Sequence, residues 1–273
     1  MSVSAHAGGR AKLAARWQER TGAAFPADAA RPMPAQVSWH MLGSPFAVEI
    51  AAGCGAHAVL IDCQHGPFTD EALRASLRAA QGLGALAFVR VAANTGAGIA
   101  AVLDAGADGV VVPMVNTGAD ARAAVEAALY PPIGNRSFGP YRAEFVPGMG
   151  ADTGLLNDRT LVIGQIETGE AVENLDEILA ASGPDCPGLD GVLVGPNDLA
   201  LSLTGARTID APQVMSAIAT IAGKARGVGT FSWIFCNSAD YAVKASEHPW
   251  DVLTVGTDAG LLKAAFRDAF GAA

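Results

Sequence analysis

The feature that most constrains the fold is an alternation that begins at Val37. Eight short, continuous apolar runs are separated by longer stretches with helical spacing. The runs are VSWHML (37–42), AVLID (58–62), ALAFVRV (85–91), GVVVPM (109–114), LVIGQI (161–166), GVLVG (191–195), TFSWIF (230–235) and DVLTV (251–255). Unbroken hydrophobicity, in place of a strict in–out alternation, marks strands covered on both faces, as in a parallel sheet. The stretches between them open on good helix caps: Thr69 before Asp70 and Glu71, Thr117 three residues before Asp120, then Thr168, Ser238 and Thr257. Gly82, Gly106 and Gly227 stand where helices should end. This order predicts a single closed (β/α)8 TIM barrel, with a doubly wound open sheet as the alternative.

A chain of 273 residues is long enough for one such barrel and short for two domains. Residues 1–35 read differently. AKLAARWQERTGAAF can form a short amphipathic helix, and a Pro/Ala-rich linker follows, so the expected division is an extension (1–35) and a barrel domain (36–273). Hydrophobic residues make up 51% and charged residues 16%, which predicts a large buried core. The net charge of −9, with no basic cluster, argues against nucleic acid or an anionic membrane as partner. No apolar run approaches the roughly 18 residues of a membrane span, and the N-terminus lacks the apolar core of a secretory signal. Cys54, Cys63, Cys186 and Cys236 form no CxxC pair, so a reducing cytoplasm is the expected location.

In a barrel the C-terminal strand ends converge on one site. Strand 2 ends in Asp62-Cys63-Gln64-His65, strand 3 carries Arg90, strand 5 ends in Gln165-Ile166-Glu167, and strand 6 runs into Gly195-Pro196-Asn197-Asp198. Glu167 and Asp198 follow adjacent strands and can meet above the mouth. Two carboxylates with open positions suit Mg2+ or Mn2+; the competing reading makes them helix-terminus partners, and a paired acid–base role is a third. His65 can move a proton near neutral pH, or simply satisfy a loop carbonyl. Arg90 inside FVRV needs an anionic partner, either a substrate oxyanion or the carboxylate of Asp62 or Asp104. Asp104, at a helix end, reads as structural on its own. GAGIAA (96–101) imitates a dinucleotide fingerprint, but the next strand ends without the acidic residue a ribose needs, and a helix start explains the glycines.

Taken together, LIDCQHGP, FVRV, VLDAGADGVVVPMV, YPPIGNRSFG, QIETGEAVENLDEIL and GVLVGPNDLALSLTG resemble the HpcH/HpaI family of metal-dependent, class II pyruvate aldolases, typified by 4-hydroxy-2-oxoheptanedioate aldolase. The resemblance runs from Val37 to the C-terminus and omits the extension. It implies a barrel assembled as a homohexamer, a trimer of dimers, with the last helix exchanged between subunits. It implies Glu167 and Asp198 as ligands of Mg2+, Mn2+ or Co2+, Arg90 on the enolate oxygen, and His65 as proton carrier. It further implies that Asp104 pairs with a neighbouring subunit's histidine. Trp39, Gln165, Gly195, Pro196 and Asn197 would surround the substrate, a 2-oxo acid that combines with an aldehyde. One departure is Gln64, where many members carry Glu. The absence of a lysine at any strand end argues against Schiff-base chemistry. Two other readings remain beside the aldolase: a carbon–carbon lyase acting on a CoA thioester, and a barrel that binds a 2-oxo acid or metal without turnover.

Overall fold

The computed structural model describes residues 8–26, 34–146, 150–181 and 187–271. Most of the expected linker, together with Cys186, lies outside them. Eight parallel strands close into a barrel in sequence order. They are β1 (Ala35–His40), β2 (Ala58–Asp62), β3 (Leu86–Arg90), β4 (Gly109–Val112), β5 (Leu161–Ile166), β6 (Gly191–Val194), β7 (Phe231–Cys236) and β8 (Val252–Thr257). The helices are α1 (Gly9–Thr21), α2 (Pro45–Gly53), α3 (Asp70–Gly82), α4 (Gly96–Asp104), α5 (Gly118–Ala128), α6 (Thr153–Arg159), α7 (Gly169–Glu173), α8 (Leu175–Leu179), α9 (Pro196–Thr204), α10 (Pro212–Gly227), α11 (Ala239–Ala245) and α12 (Asp258–Phe270). The expected barrel is therefore present, and the open sheet is not.

Each strand divides its side chains between two cores, because successive residues point to opposite faces. Inward residues such as Leu60, Phe88, Ile163, Leu193 and Trp233 fill the barrel. Outward residues such as Ile61, Val89, Val110, Val192 and Ile234 pack under the helices. The two-faced burial is the physical source of the continuous apolar runs.

The helix starts follow the chemistry expected of them. Thr69, Thr168, Ser238 and Thr257 accept from backbone N–H groups in the first turn, and Thr117 with Asp120 forms a reciprocal capping box. Thr95 caps α4 in the same way, so GAGIAA is a helix start. The helix stops differ in detail. Gly106 takes a left-handed φ of 91°, but beyond α3 and α10 it is Gly84 and Gly229 that do so, at 81° and 77°. Gly82 and Gly227 are the last residues of those helices.

Helix α1 closes the N-terminal mouth of the barrel. Leu13 and Trp17 are buried and continue the inner core, each worth about 1.5–3 kcal/mol of burial. Around them, basic side chains meet acids that stand immediately before alternate strands. Arg16 and Arg20 reach Asp108 (2.8 and 2.5 Å), Lys12 reaches Asp190 (3.2 Å) and Arg10 reaches Asp251 (2.7 Å). Gly9 lies so close that an added Cβ would come within 1.8 Å of the Asp190 carbonyl oxygen.

At the other end of the chain, α12 has no buried residue, and Leu261, Leu262, Phe266 and Phe270 on it are exposed. No helix among the described residues is long and apolar enough to cross a membrane.

Candidate active site

A cavity of about 160 Å3 opens at the C-terminal mouth, lined by residues from both sides of the barrel. Its floor is buried and its rim is wet. Trp39, Asp62, Arg90 and Gln165 form the floor, between 1% and 6% exposed. Met41, His65, Asn197 and Asp198 stand at the rim with greater exposure.

The β2–β3 register sets Asp62 directly beside Arg90. The Arg90 guanidinium donates from Nε to Oδ1 (3.0 Å) and from Nη2 to Oδ2 (2.5 Å), a bidentate pair. Its carbon lies 4.7 Å from the centre of the Trp39 ring, whose indole N–H donates to Asp62 at 3.3 Å. Burial alone would raise the Asp62 pKa, but the Arg90 guanidinium and the backbone N–H groups of His65 and Gln64 hold it below the ordinary carboxylate value. The same two N–H bonds shape the turn that carries His65 to the rim. Of the partners open to Arg90 in sequence terms, Asp62 is the one it takes.

The remaining Arg90 nitrogen, Nη1, points to Gln165 Oε1 at 3.4 Å. Gln165 donates in turn to Glu167 Oε2 at 2.5 Å, and Glu167 Oε1 accepts from the Met114 backbone N–H at 2.9 Å. Met114 adopts a positive φ of 55° to make that approach. Glu167 itself is 3% exposed. Its pKa is pushed up to about 7, first by desolvation and also by the negative charge of Asp198, against the lowering effect of its hydrogen bonds and of Arg90. Asp198 follows the adjacent strand and its charge adds to this rise. Gly195 lies over this pair of side chains, and a Cβ there would stand 2.9 Å from both Gln165 Nε2 and Glu167 Oε2. The missing side chain lets the start of α9 pack directly against these two groups.

A family model described as HpcH/HpaI aldolase/citrate lyase matches residues 36–263. The chain belongs to this family. A hydroxypyruvate/pyruvate aldolase of Rhizorhabdus wittichii is 38% identical over 236 residues, covering 86% of this chain and 92% of that protein. A 4-hydroxy-2-oxo-heptane-1,7-dioate aldolase of Salmonella typhimurium is 33% identical over 226 residues, covering 82% and 84%. A crystal structure of an HpcH/HpaI family protein from Burkholderia cenocepacia matches with a TM-score of 0.79 at 28% identity, covering 94% of this chain and 97% of the other.

In this HpcH/HpaI family member the cavity gathers Trp39, His65, Arg90, Gln165, Gly195, Asn197 and Asp198 from the sequence-derived set. Glu167 lies just beneath, and Pro196 is buried at the first position of α9. Asp104 is not brought to the cavity. Its carboxylate is held by Arg136 at 2.6 Å, on the segment that follows α5. Asp62 was visible only as a possible partner for Arg90, yet it organises both Arg90 and the His65 turn. Phe235 and Thr257, from the ends of β7 and β8, also line the cavity, and sequence reasoning passed over them because neither residue carries a charge. Counting inward-facing positions would have found Phe235, which packs edge-on against Trp39 at 5.0 Å.

Proposed function

We propose that this aldolase cleaves a 4-hydroxy-2-oxo acid reversibly to pyruvate, or a related 2-oxo acid, and an aldehyde, with a divalent cation held by Glu167 and Asp198. The observation that carries this reading is a barrel-mouth cavity lined by Arg90, Gln165 and Asp198, with Glu167 hydrogen-bonded to Gln165 just beneath it. Among the described residues no three His, Cys, Asp or Glu side chains converge as a closed metal cage. Two carboxylates with free positions fit Mg2+ or Mn2+, which bind through one or two acids plus water and substrate oxygens; Co2+ is the next choice. The room left by Gly195 supports that fit. Such a cation supplies electron withdrawal from the keto and carboxylate oxygens of a 2-oxo acid, acidifying the adjacent carbon.

The chain's own groups do the rest. Arg90, fixed by Asp62, offers Nη1 to the 2-oxo oxygen, where negative charge grows as the bond breaks. That contact strengthens towards the transition state, so it lowers the barrier more than it tightens binding. His65 takes the proton from the 4-hydroxyl. The C3–C4 bond then breaks, its electron pair passes towards the 2-oxo oxygen, and the 4-carbon leaves as an aldehyde. A proton delivered to C3 completes pyruvate. Gly195 and Asn197, at the start of α9, would hold the substrate carboxylate, with Pro196 fixing that turn and Trp39 walling the floor.

Assembly as a homohexamer, a trimer of dimers, belongs to the same proposal, with α12 exchanged between copies and Asp104 acting on a neighbouring subunit's His65. The wholly unburied α12 and its four exposed apolar side chains support it. The free thiols of Cys54, Cys63 and Cys236 favour a reducing cytoplasm. The test is release of pyruvate from a racemic 4-hydroxy-2-oxo acid. Activity should vanish in chelator, return with Mg2+ or Mn2+, and be lost in Asp198→Asn; chelator-resistant cleavage would refute the reading.

A further inference from the structure

We infer that Asp258, at the head of α12, is a positioning residue for His65 and acts on it through the loop that leaves β1. This rests on the aldolase reading above, in which His65 moves the proton. Asp258 does not itself line the cavity. Its place is set by an irregularity between β1 and β8. Val37 pairs with Thr254 and Trp39 with Thr257, so β8 spends one residue more than β1 over this stretch. Gly256, at a left-handed φ of 68°, lies within it. A bulge of this kind re-aims the side chains beside it. Thr257 lines the cavity and caps α12, its Oγ1 accepting from the Gly260 N–H at 3.0 Å. The next residue, Asp258, falls over the end of β1.

There its carboxylate gathers backbone donors. Oδ1 accepts from the Met41 N–H at 2.9 Å and the Ala259 N–H at 2.8 Å, and Oδ2 accepts from the Leu42 N–H at 3.2 Å. The buried His40 ring stands with Nδ1 3.4 Å from Oδ2. Burial would raise the Asp258 pKa, but His40 and the Met41 and Ala259 N–H groups hold it below the ordinary carboxylate value. Bonds to a charged acceptor are the strong kind, so the loop is firmly held. That loop lies directly against the turn carrying His65. An added Cβ at Gly66 would stand 3.1 Å from both the Cα and the carbonyl oxygen of Met41. One at Gly43, where φ is 67°, would stand 2.9 Å from the Pro67 carbonyl oxygen. The two segments touch backbone to backbone, with no side chain between them to absorb a shift. Asp62 fixes the His65 turn from inside the barrel, and Asp258 fixes it from outside through Met41.

The experiment is a double-mutant cycle on cleavage of racemic 4-hydroxy-2-oxopentanoate, with Mg2+ supplied and a thermal melt on every variant. Asp258→Ala should lower kcat about ten- to a hundredfold, the scale of a small misplacement of a reacting group. KM for the acid, set by the floor of the cavity, should stay near the wild-type value. Asp258→Asn keeps an acceptor oxygen for the Met41 N–H and should retain most of the activity. In a His65→Ala background, Asp258→Ala should cost almost nothing further, because its effect runs through the group already removed. Gly43→Ala tests the other end of the link with Asp258 intact, and carries the test alone if Asp258→Ala does not fold. It should lower kcat in the same way and likewise lose its effect without His65. Equal losses with and without His65, or a raised KM with kcat retained, overturn the proposal while the aldolase reading stands. Failure of folded, cation-supplied wild type to cleave the acid removes both.

Discussion

Asp108 and Glu167 are buried carboxylates at opposite mouths of one barrel, under opposite conditions. Asp108, fully buried, accepts from Arg16 and Arg20 of α1, from Gln81 Nε2 and from the Ala87 N–H. Glu167, nearly as buried, has hydrogen bonds but no cation of its own, and Asp198 pushes against its charge. The N-terminal mouth is a completed ionic structure, sealed by a helix that the family model does not span. The C-terminal mouth is left electrostatically incomplete. A charge arrangement that costs the folded chain free energy, set in an open cavity, is where binding energy can be used.

The sharpest way to break this comparison is to neutralise one acid at each mouth. Glu167→Gln should cut aldol cleavage by about a thousandfold or more, since the proposed cation site would lose its buried ligand. Its melting temperature should not fall, because the substitution removes a charge that burial penalises. A thermal melt and a steady-state assay on the same preparation check both halves. At the other mouth, Arg16→Ala combined with Arg20→Ala should cost about 3–5 kcal/mol in urea unfolding, by stranding Asp108. The folded fraction should keep its kcat. If instead the Arg double variant lost kcat at full stability, the division of labour between the mouths would be wrong.

Much of this was legible in the sequence, and the rest was hidden for identifiable reasons. Strands buried on both faces write themselves as continuous apolar runs, so β2 and β5 match their runs at both ends. β1 lies two residues earlier than VSWHML suggested. Met41 and Leu42 leave the sheet, where their N–H groups bind the Asp258 carboxylate at the head of α12. The strand-end rule pointed to Arg90 and Asp198, which line the C-terminal cavity, and to Glu167 just beneath it. It could not find the Asp62–Arg90 pair, which depends on the register between two strands. The plug was less legible still. AKLAARWQERTGAAF showed an amphipathic helix, but its partners Asp108, Asp190 and Asp251 lie 88 to 241 residues away along the chain. No local pattern marks them as acids waiting for a basic helix.

A smaller effect sharpens the comparison through pH. In chelator, Glu167 binds its proton up to about pH 7 in the folded chain, whereas an unfolded glutamate has released it near 4.5. Between those values the folded state holds more protons, so stability falls as pH rises, on the order of 3 kcal/mol across the window, and levels off above it. Urea unfolding at pH 5 and pH 8 should show this slope in the wild type, a flatter profile in Glu167→Gln, and a flatter one when Mg2+ is restored. A slope of the opposite sign attributable to Glu167 would mean that its charge is already compensated.

The central claim is that the C-terminal mouth activates a 2-oxo acid through a cation held at Glu167 and Asp198, and it can be tested without knowing the aldehyde. The measurement is exchange of pyruvate methyl protons with D2O, followed by proton NMR, with Mg2+ or Mn2+ and then with excess chelator. The account predicts exchange that requires the cation, is lost in Glu167→Gln, and survives in the Arg16→Ala, Arg20→Ala protein while it remains folded. Exchange that persists in chelator, or that Glu167→Gln retains at the wild-type rate, would contradict it.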